Sequence, residues 1–357
     1  MPMRPESFEF LKQIEETPSP SGFEQPVARI VRKRMSRFAD KITTDVHGNV
    51  IVALNPKGSP RVMLAGHMDQ IGLMVNYVND DGYIYFDAIG GIDNTVLPGS
   101  RVTIHTKKGP VEGVIGRKPI HLMKPEERNQ GKVERTDLWI DIGCRTKAET
   151  LAAVRIGDPV TYKLGLTRLG KDLVASPGLD NKVGTFVVME ALRLAAGMKG
   201  LKCALYAVAT VQEEIGLRGA RTSCFGIDPL VGIAVDVTHA TDNPGADKKQ
   251  AGEISLGKGA VIERGANINP VLEELFVETA EKKKIPHQMA GSPGATGTDA
   301  NAMQISRAGV AAGLISIPNR YMHTQVEVVN LSDLQACAEL IAHTVARIDS
   351  KMSFIPD

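Results

Sequence analysis

Cysteine is sparse in this 357-residue chain, with four in all, and no two form a CxxC pair. Cys144, Cys203, Cys224 and Cys337 therefore read as isolated buried thiols, which argues against a disulfide framework and against a thiolate structural zinc site. An excess of either charge is also missing, because 42 Lys and Arg face 41 Asp and Glu to leave a formal charge of +1. No global field then favours nucleic acid or an anionic membrane surface. No apolar run approaches the roughly 20 residues that span a bilayer, and Met1-Pro2-Met3-Arg4-Pro5-Glu6 has no signal-peptide apolar region. The expectation is a cytoplasmic protein with neither a membrane nor a nucleic-acid partner. Internal repeats and low-complexity tracts are absent as well, and the dense run Glu281-Lys282-Lys283-Lys284 reads as the end of a solvated helix.

What is present is enough apolar sequence to bury a large core, in one large domain or two smaller ones. Ser21-Gly22-Phe23-Glu24 fits a capping box ahead of the periodic run Val27, Ile30, Val31, Arg34. Val50–Leu54 and Arg61–Ala65 have the apolar composition of buried strands, the second running into His67. Between residues 71 and 164 the texture changes to short strands at Tyr83–Phe86, Arg101–Ile104, Val111–Ile115 and Leu138–Asp141, separated by Gly and Pro turns, with no helix expected. Helix signals then return at 182–196, 267–284 and 331–348, alternating with strand signals at 202–209, 231–236 and 310–317. The parse is an α/β domain over residues 1–70 and 165–357, interrupted by a β-rich insertion over 71–164.

Polar residues recur where these strands end. His67-Met68-Asp69 follows a strand whose carboxyl end would deliver both side chains to the crevice where open α/β sheets place ligands, although a plain polar strand end fits too. Asp180 precedes an apolar helix, where it could cap the helix or serve a site. Glu213 and Glu214 follow a strand too apolar to be a surface hairpin. Unless they lie in a solvated turn, their mutual repulsion asks for a cation or for a raised pKa. Asp236 ends Val231–Val235, and His323 follows the strand at 310–317. Two His with three or four carboxylates and no Cys suit Zn²⁺, Co²⁺ or Mn²⁺. One ion would not need so many ligands, which points to a two-metal site.

In order along the chain, Ala65-Gly66-His67-Met68-Asp69, Ser176-Pro177-Gly178-Leu179-Asp180-Asn181, Gln212-Glu213-Glu214-Ile215-Gly216-Leu217-Arg218-Gly219-Ala220, Asp236-Val237-Thr238-His239-Ala240 and Met322-His323-Thr324 resemble the M42 family of metallo-aminopeptidases. That family lies within the group of two-metal exopeptidases that includes M18, M20 and M28. The resemblance implies a mixed central sheet flanked by helices, with the insertion as a barrel-like dimerisation domain. It implies two divalent ions, probed first as Zn²⁺ or Co²⁺, with His67 and Asp236 as terminal ligands of one, Glu214 and His323 of the other, and Asp180 bridging them. Glu213 would be the general base that activates a metal-bound water, and Asp69 would orient the His67 ring. A cis peptide after Asp180 is implied too, as are short peptide substrates and homo-oligomers in which dimers build a tetrahedral dodecamer. Gly297-Thr298-Asp299-Ala300-Asn301 is similar to a substrate-side loop of the family, with Asp299 equally suited to cap the next helix. His121, in Gly116–His121, is read as structural.

The function expected is hydrolysis of N-terminal residues from peptides. A deacylase or carboxypeptidase using the same two ions is the enzymatic alternative, and a non-catalytic peptide-binding scaffold is the alternative from another class. Neither the preferred N-terminal residue nor the native metal is legible in the sequence.

Overall fold

The computed structural model describes residues 3–125 and 132–356. Helices α1 (Pro5–Glu15) and α2 (Gln25–Met35) open the chain and lead into strands β1 (Lys41–Thr44), β2 (Val50–Leu54) and β3 (Arg61–His67). The next six strands are β4 (Gly72–Val78), β5 (Ile84–Ile89), β6 (Arg101–Thr106), β7 (Gly109–Arg117), β8 (Leu138–Asp141) and β9 (Pro159–Tyr162). They close into a barrel in the order β4-β5-β8-β7-β6-β9 around its own apolar core, which includes Leu73, Ile84, Ile104, Leu138 and Val160.

This segment also holds a helix where none was expected, α3 (Lys147–Ala153). Its start is written in the sequence after all: the Thr146 hydroxyl accepts from Glu149 N, and the Glu149 carboxylate accepts from Arg145 N. That is a Thr-x-x-Glu start signal, hidden by the shortness of the helix.

Past the barrel come β10 (Thr167–Leu169), β11 (Leu173–Ser176), α4 (Leu179–Ala196), β12 (Ala204–Thr210), α5 (Arg218–Ile227), β13 (Val231–His239), α6 (Lys248–Ala251) and β14 (Ala260–Gly265). The chain continues through α7 (Pro270–Lys283), β15 (His287–Ser292), α8 (Asp299–Gln304), β16 (Ala311–Asn319), β17 (Glu327–Asn330) and α9 (Leu331–Val345). The central sheet has eight strands in the order β1-β2-β12-β3-β13-β16-β14-β15, and its middle four, β12, β3, β13 and β16, run parallel. A three-stranded sheet, β10-β11-β17, adjoins it where Arg320, just past β16, and Val328 of β17 exchange backbone hydrogen bonds. Mixed α/β with a central sheet and an inserted barrel is thus the fold, as the sequence led one to expect.

Alternation along β3 shows why its apolar run is nearly continuous. Val62 and Leu64 pack into the large core with α4 and α9, whereas Met63 and Ala65 pack into a second core with α5 and α8. Both faces are covered, so only the strand ends are open to ligands. Gly66 lets α4 approach the end of β3, since a Cβ there would lie 2.5 Å from the carbonyl carbon of Gly184.

Two local expectations fail for related reasons. Ser21 does not cap α2: the helix begins at Gln25 with Glu24 at the cap position, and no side chain caps it. The Ser21 hydroxyl donates instead to Asp69 Oδ2, and Glu24 Oε1 accepts from Gln212 N and Gly22 N. Nor does Asp180 cap α4. The N-cap residue is Gly178, the dihedrals of Asp180 and Asn181 are non-helical, and it is Asn181 Oδ1 that takes the Gly184 N–H.

Candidate functional site

The parallel strands β3, β12 and β13 deliver their carboxyl ends to one place. His67 ends β3 in register with Thr210, the last residue of β12, and Glu213 and Glu214 follow on the loop beyond. Asp236 lies within β13 opposite Ser316 of β16, three residues before the strand ends at His239. The strand is thus longer than its apolar pattern implied. Asp180 enters from the kinked start of α4, where its peptide bond to Asn181 is cis, and Asn181 Nδ2 ties that kink to Val235 O of β13. His323 sits on the turn between β16 and β17, in the left-handed region at φ 60°.

Around His67 Nε2 lie Asp180 Oδ1 at 3.3 Å, Glu213 Oε2 at 3.6 Å and Asp236 Oδ1 at 3.7 Å. On the other side of the same carboxylate, Asp180 Oδ2 is 3.1 Å from His323 Nε2, which is 3.6 Å from Glu214 Oε2. Two triads result, His67-Asp180-Asp236 and Asp180-Glu214-His323, each with ligand atoms within 4.8 Å of one another. They share Asp180, and Glu213 belongs to neither.

Asp69 does more than face an imidazole. The His67 Nδ1 is 3.1 Å from the Asp69 carbonyl oxygen and 3.4 Å from its Oδ1. The carboxylate also accepts Glu213 N on Oδ1 and Glu214 N on Oδ2, so it fixes the two-glutamate loop through its backbone.

Six acidic and basic groups packed this closely cannot all keep their ordinary ionisation. Burial, followed by the neighbouring Asp236, Asp299 and Asp180 charges, outweighs His67 and pushes Glu213 up to about 9. Burial and then Asp180 raise Glu214 well above the carboxylate range. Burial also raises Asp236, against the pull of His67. Burial alone would lower His67 and raise Asp180. The Glu213, Asp180, Asp236 and Asp69 carboxylates raise His67, while the two imidazoles, His323 first, hold Asp180 below its usual range. Burial also leaves Glu214 Oε1 without a hydrogen-bond partner among the described residues. An orphaned oxygen inside a cluster rich in acids is what a bound cation would satisfy, and the His and carboxylate donors suit a divalent one.

The site opens into a cleft of about 550 Å³ walled by Leu217, Val237, Thr238, Thr296, Thr298 and Met322, with exposed His239 at its margin. Asp299 is the first residue of α8 and not its cap, a role taken by the Thr298 hydroxyl. Its Oδ2 accepts from Thr210 Oγ1 and its Oδ1 has no partner among the described residues. Burial, opposed by His67, pushes its carboxyl up to about 7. His121 is exposed on a single turn of 3₁₀ helix, Ile120–Leu122.

Glu327 escaped the sequence reading. It is 1% exposed on β17, and its two oxygens accept Asp180 N and His323 N, each at 2.8 Å. A carboxylate in the apolar stretch Val326-Glu327-Val328-Val329 was the available signal.

Among the described residues no helix is long and apolar enough to cross a membrane. The model of the M42 glutamyl aminopeptidase family matches residues 48–340. A lysyl aminopeptidase of Pyrococcus furiosus is 41% identical over 98% of this chain and 99% of its own length. Among solved structures, a TET aminopeptidase from a marine sediment archaeon of the Thaumarchaeota superposes with a TM-score of 0.92 at 34% identity, covering 97% of each chain. The TET1 peptidase of Pyrococcus horikoshii, which can assemble into a tetrahedron or a large octahedral shell, superposes with a TM-score of 0.84 at 32% identity, over 96% of this chain and all of that one.

Proposed function

This chain belongs to the M42 family of aminopeptidases and is a peptide hydrolase, and from that we propose that it removes N-terminal residues from short peptides with two divalent ions at the strand-end cluster. His67 and Asp236 would hold one ion and Glu214 and His323 the other, with Asp180 common to both groups. Ions bound there would supply an acidified water and would stabilise negative charge on the scissile carbonyl oxygen. Zn²⁺, Co²⁺ and Mn²⁺ all suit these donors.

Glu213 is the general base. The observation that carries this is its position: its carboxylate is 3.6 Å from His67 Nε2 yet stands outside both triads. It is placed to take the proton of the attacking water and return it to the leaving amine as the C–N bond breaks. Asp69 fixes the Glu213 backbone while its carbonyl oxygen and carboxylate face the His67 ring. The barrel is proposed to pair two copies, with further assembly into a closed shell such as the P. horikoshii peptidase forms.

The test is to strip metal with a chelator, restore it as Zn²⁺, Co²⁺ or Mn²⁺, and follow aminoacyl-p-nitroanilides, their N-acetylated forms and carboxypeptidase substrates. Metal-restored cleavage confined to the free-amine anilides is expected. Equal or faster cleavage of the acetylated compounds or of C-terminal residues would favour a deacylase or a carboxypeptidase. Binding of peptides with no cleavage would favour a scaffold.

A further inference from the structure

The backbones that carry the two triads are held in different ways. His67 and Asp236 belong to β3 and β13, whose ladders with β12 and β16 fix them. The Asp180-Glu214-His323 triad lies wholly on loops and a helix kink, outside any ladder. Each of its three backbone N–H groups is taken by a buried carboxylate: Glu214 N by Asp69, and both Asp180 N and His323 N by Glu327.

Glu327 is well sited for this. It begins β17, in register with Ser176 at the end of β11, so one short ladder sets the start of the Ser176–Asp180 approach and the end of the Met322–Val326 turn. That turn needs support, because Tyr321 and His323 are both left-handed, at φ 62° and 60°, and the His323 side chain is 35% exposed. Packing alone does not hold a third-exposed ring, and the left-handed region is disfavoured for a residue with a Cβ.

We propose that Glu327 is a positioning residue that sets Asp180 and His323 relative to each other by accepting one backbone N–H on each carboxylate oxygen. It touches neither substrate nor ion and acts through the two ligands, so the inference rests on the reading that they hold a metal. Two acceptor oxygens are required. Glutamine offers one, and turns a donor toward the remaining N–H.

The experiment counts ions per chain by mass spectrometry after equilibration in buffers of fixed free Zn²⁺, alongside the visible spectrum of the Co²⁺ form. Wild type should take up two ions. Glu327→Gln should weaken one of them by about 10- to 100-fold, as loss of a residue that orients ligands does, and its remaining Co²⁺ spectrum should match that of His323→Ala, not His67→Ala. Glu327→Asp, which keeps two acceptors on a shorter arm, should fall between Gln and wild type, and it carries the test if the Gln variant does not fold. Two ions at wild-type affinity in the folded Gln variant, or in the Asp variant when Gln cannot be obtained, would overturn the inference alone. Fewer than two ions in wild type would overturn the two-ion reading and the inference with it.

Discussion

His67 and His323 approach the same carboxylate from opposite sides, yet they inhabit different parts of the fold. His67 is 1% exposed at the end of a central strand, with Glu213, Asp236 and Asp69 packed around it. His323 is a third exposed, on a left-handed turn, and depends on a hydrogen bond from its own N–H to Glu327. One half of the site is thus built by the sheet, and the other by buried carboxylates that take the place of a ladder. The sheet half should be rigid and costly to disturb, whereas the loop half should be adjustable and easily weakened.

The largest expected effect comes from the residue common to both halves. Asp180→Ala removes a ligand from each triad, so both ions should be lost on dialysis and turnover should fall to background. Retention of one tightly bound ion would show that the halves are independent.

Next in size is the contrast between the imidazoles in chelated protein, measured by urea unfolding. His67→Ala leaves Asp236 buried without its cationic partner and Asp180 with His323 alone, and should cost about 3 kcal/mol or more. His323→Ala removes a partly exposed pair and should cost less than about 1 kcal/mol. The sign with pH follows from the raised pKa of His67. Its contribution is full below the unfolded value near 6.5 and is lost as pH rises through the folded value, so the gap between the two variants should narrow in alkali. Equal losses at neutral pH would erase the distinction.

A separate effect, read as a slope with pH and not as a loss at one pH, belongs to the ground under the loop half. Glu15 is fully buried near Lys182 and Ser176, and burial pushes it up to about 8 despite both. Because the folded chain keeps a proton that the unfolded chain releases near 4.5, stability should fall as pH rises from about 4.5 to 8, by up to about 1.4 kcal/mol per unit. Glu15→Gln should flatten that slope in a pH series of unfolding curves. An unchanged slope would assign it to other groups.

The two halves also differed in how plainly the sequence announced them. Apolar strands ending in His67, in Glu213-Glu214 and near Asp236 were legible because a strand buried on both faces is a continuous apolar run, and a polar residue at its end stands out. The loop half has no such background. Ser21 and Glu24 imitated a capping box because the residue types that cap helices are those that bind loop amides anywhere. Asp180 looked like a cap for the same reason. Glu327 was missed because a single acid in a short strand carries no periodic signal, and only the three-dimensional approach of Asp180 N and His323 N reveals its task.

The division of labour between the adjacent acids is tested most directly by Glu213→Gln, with bound metal and turnover measured on the same preparation. The expected result is two ions per chain, as in wild type, with turnover lower by about 10²- to 10⁴-fold. Loss of an ion would make Glu213 a ligand, and two ions with turnover near wild type would contradict its role as the proton carrier.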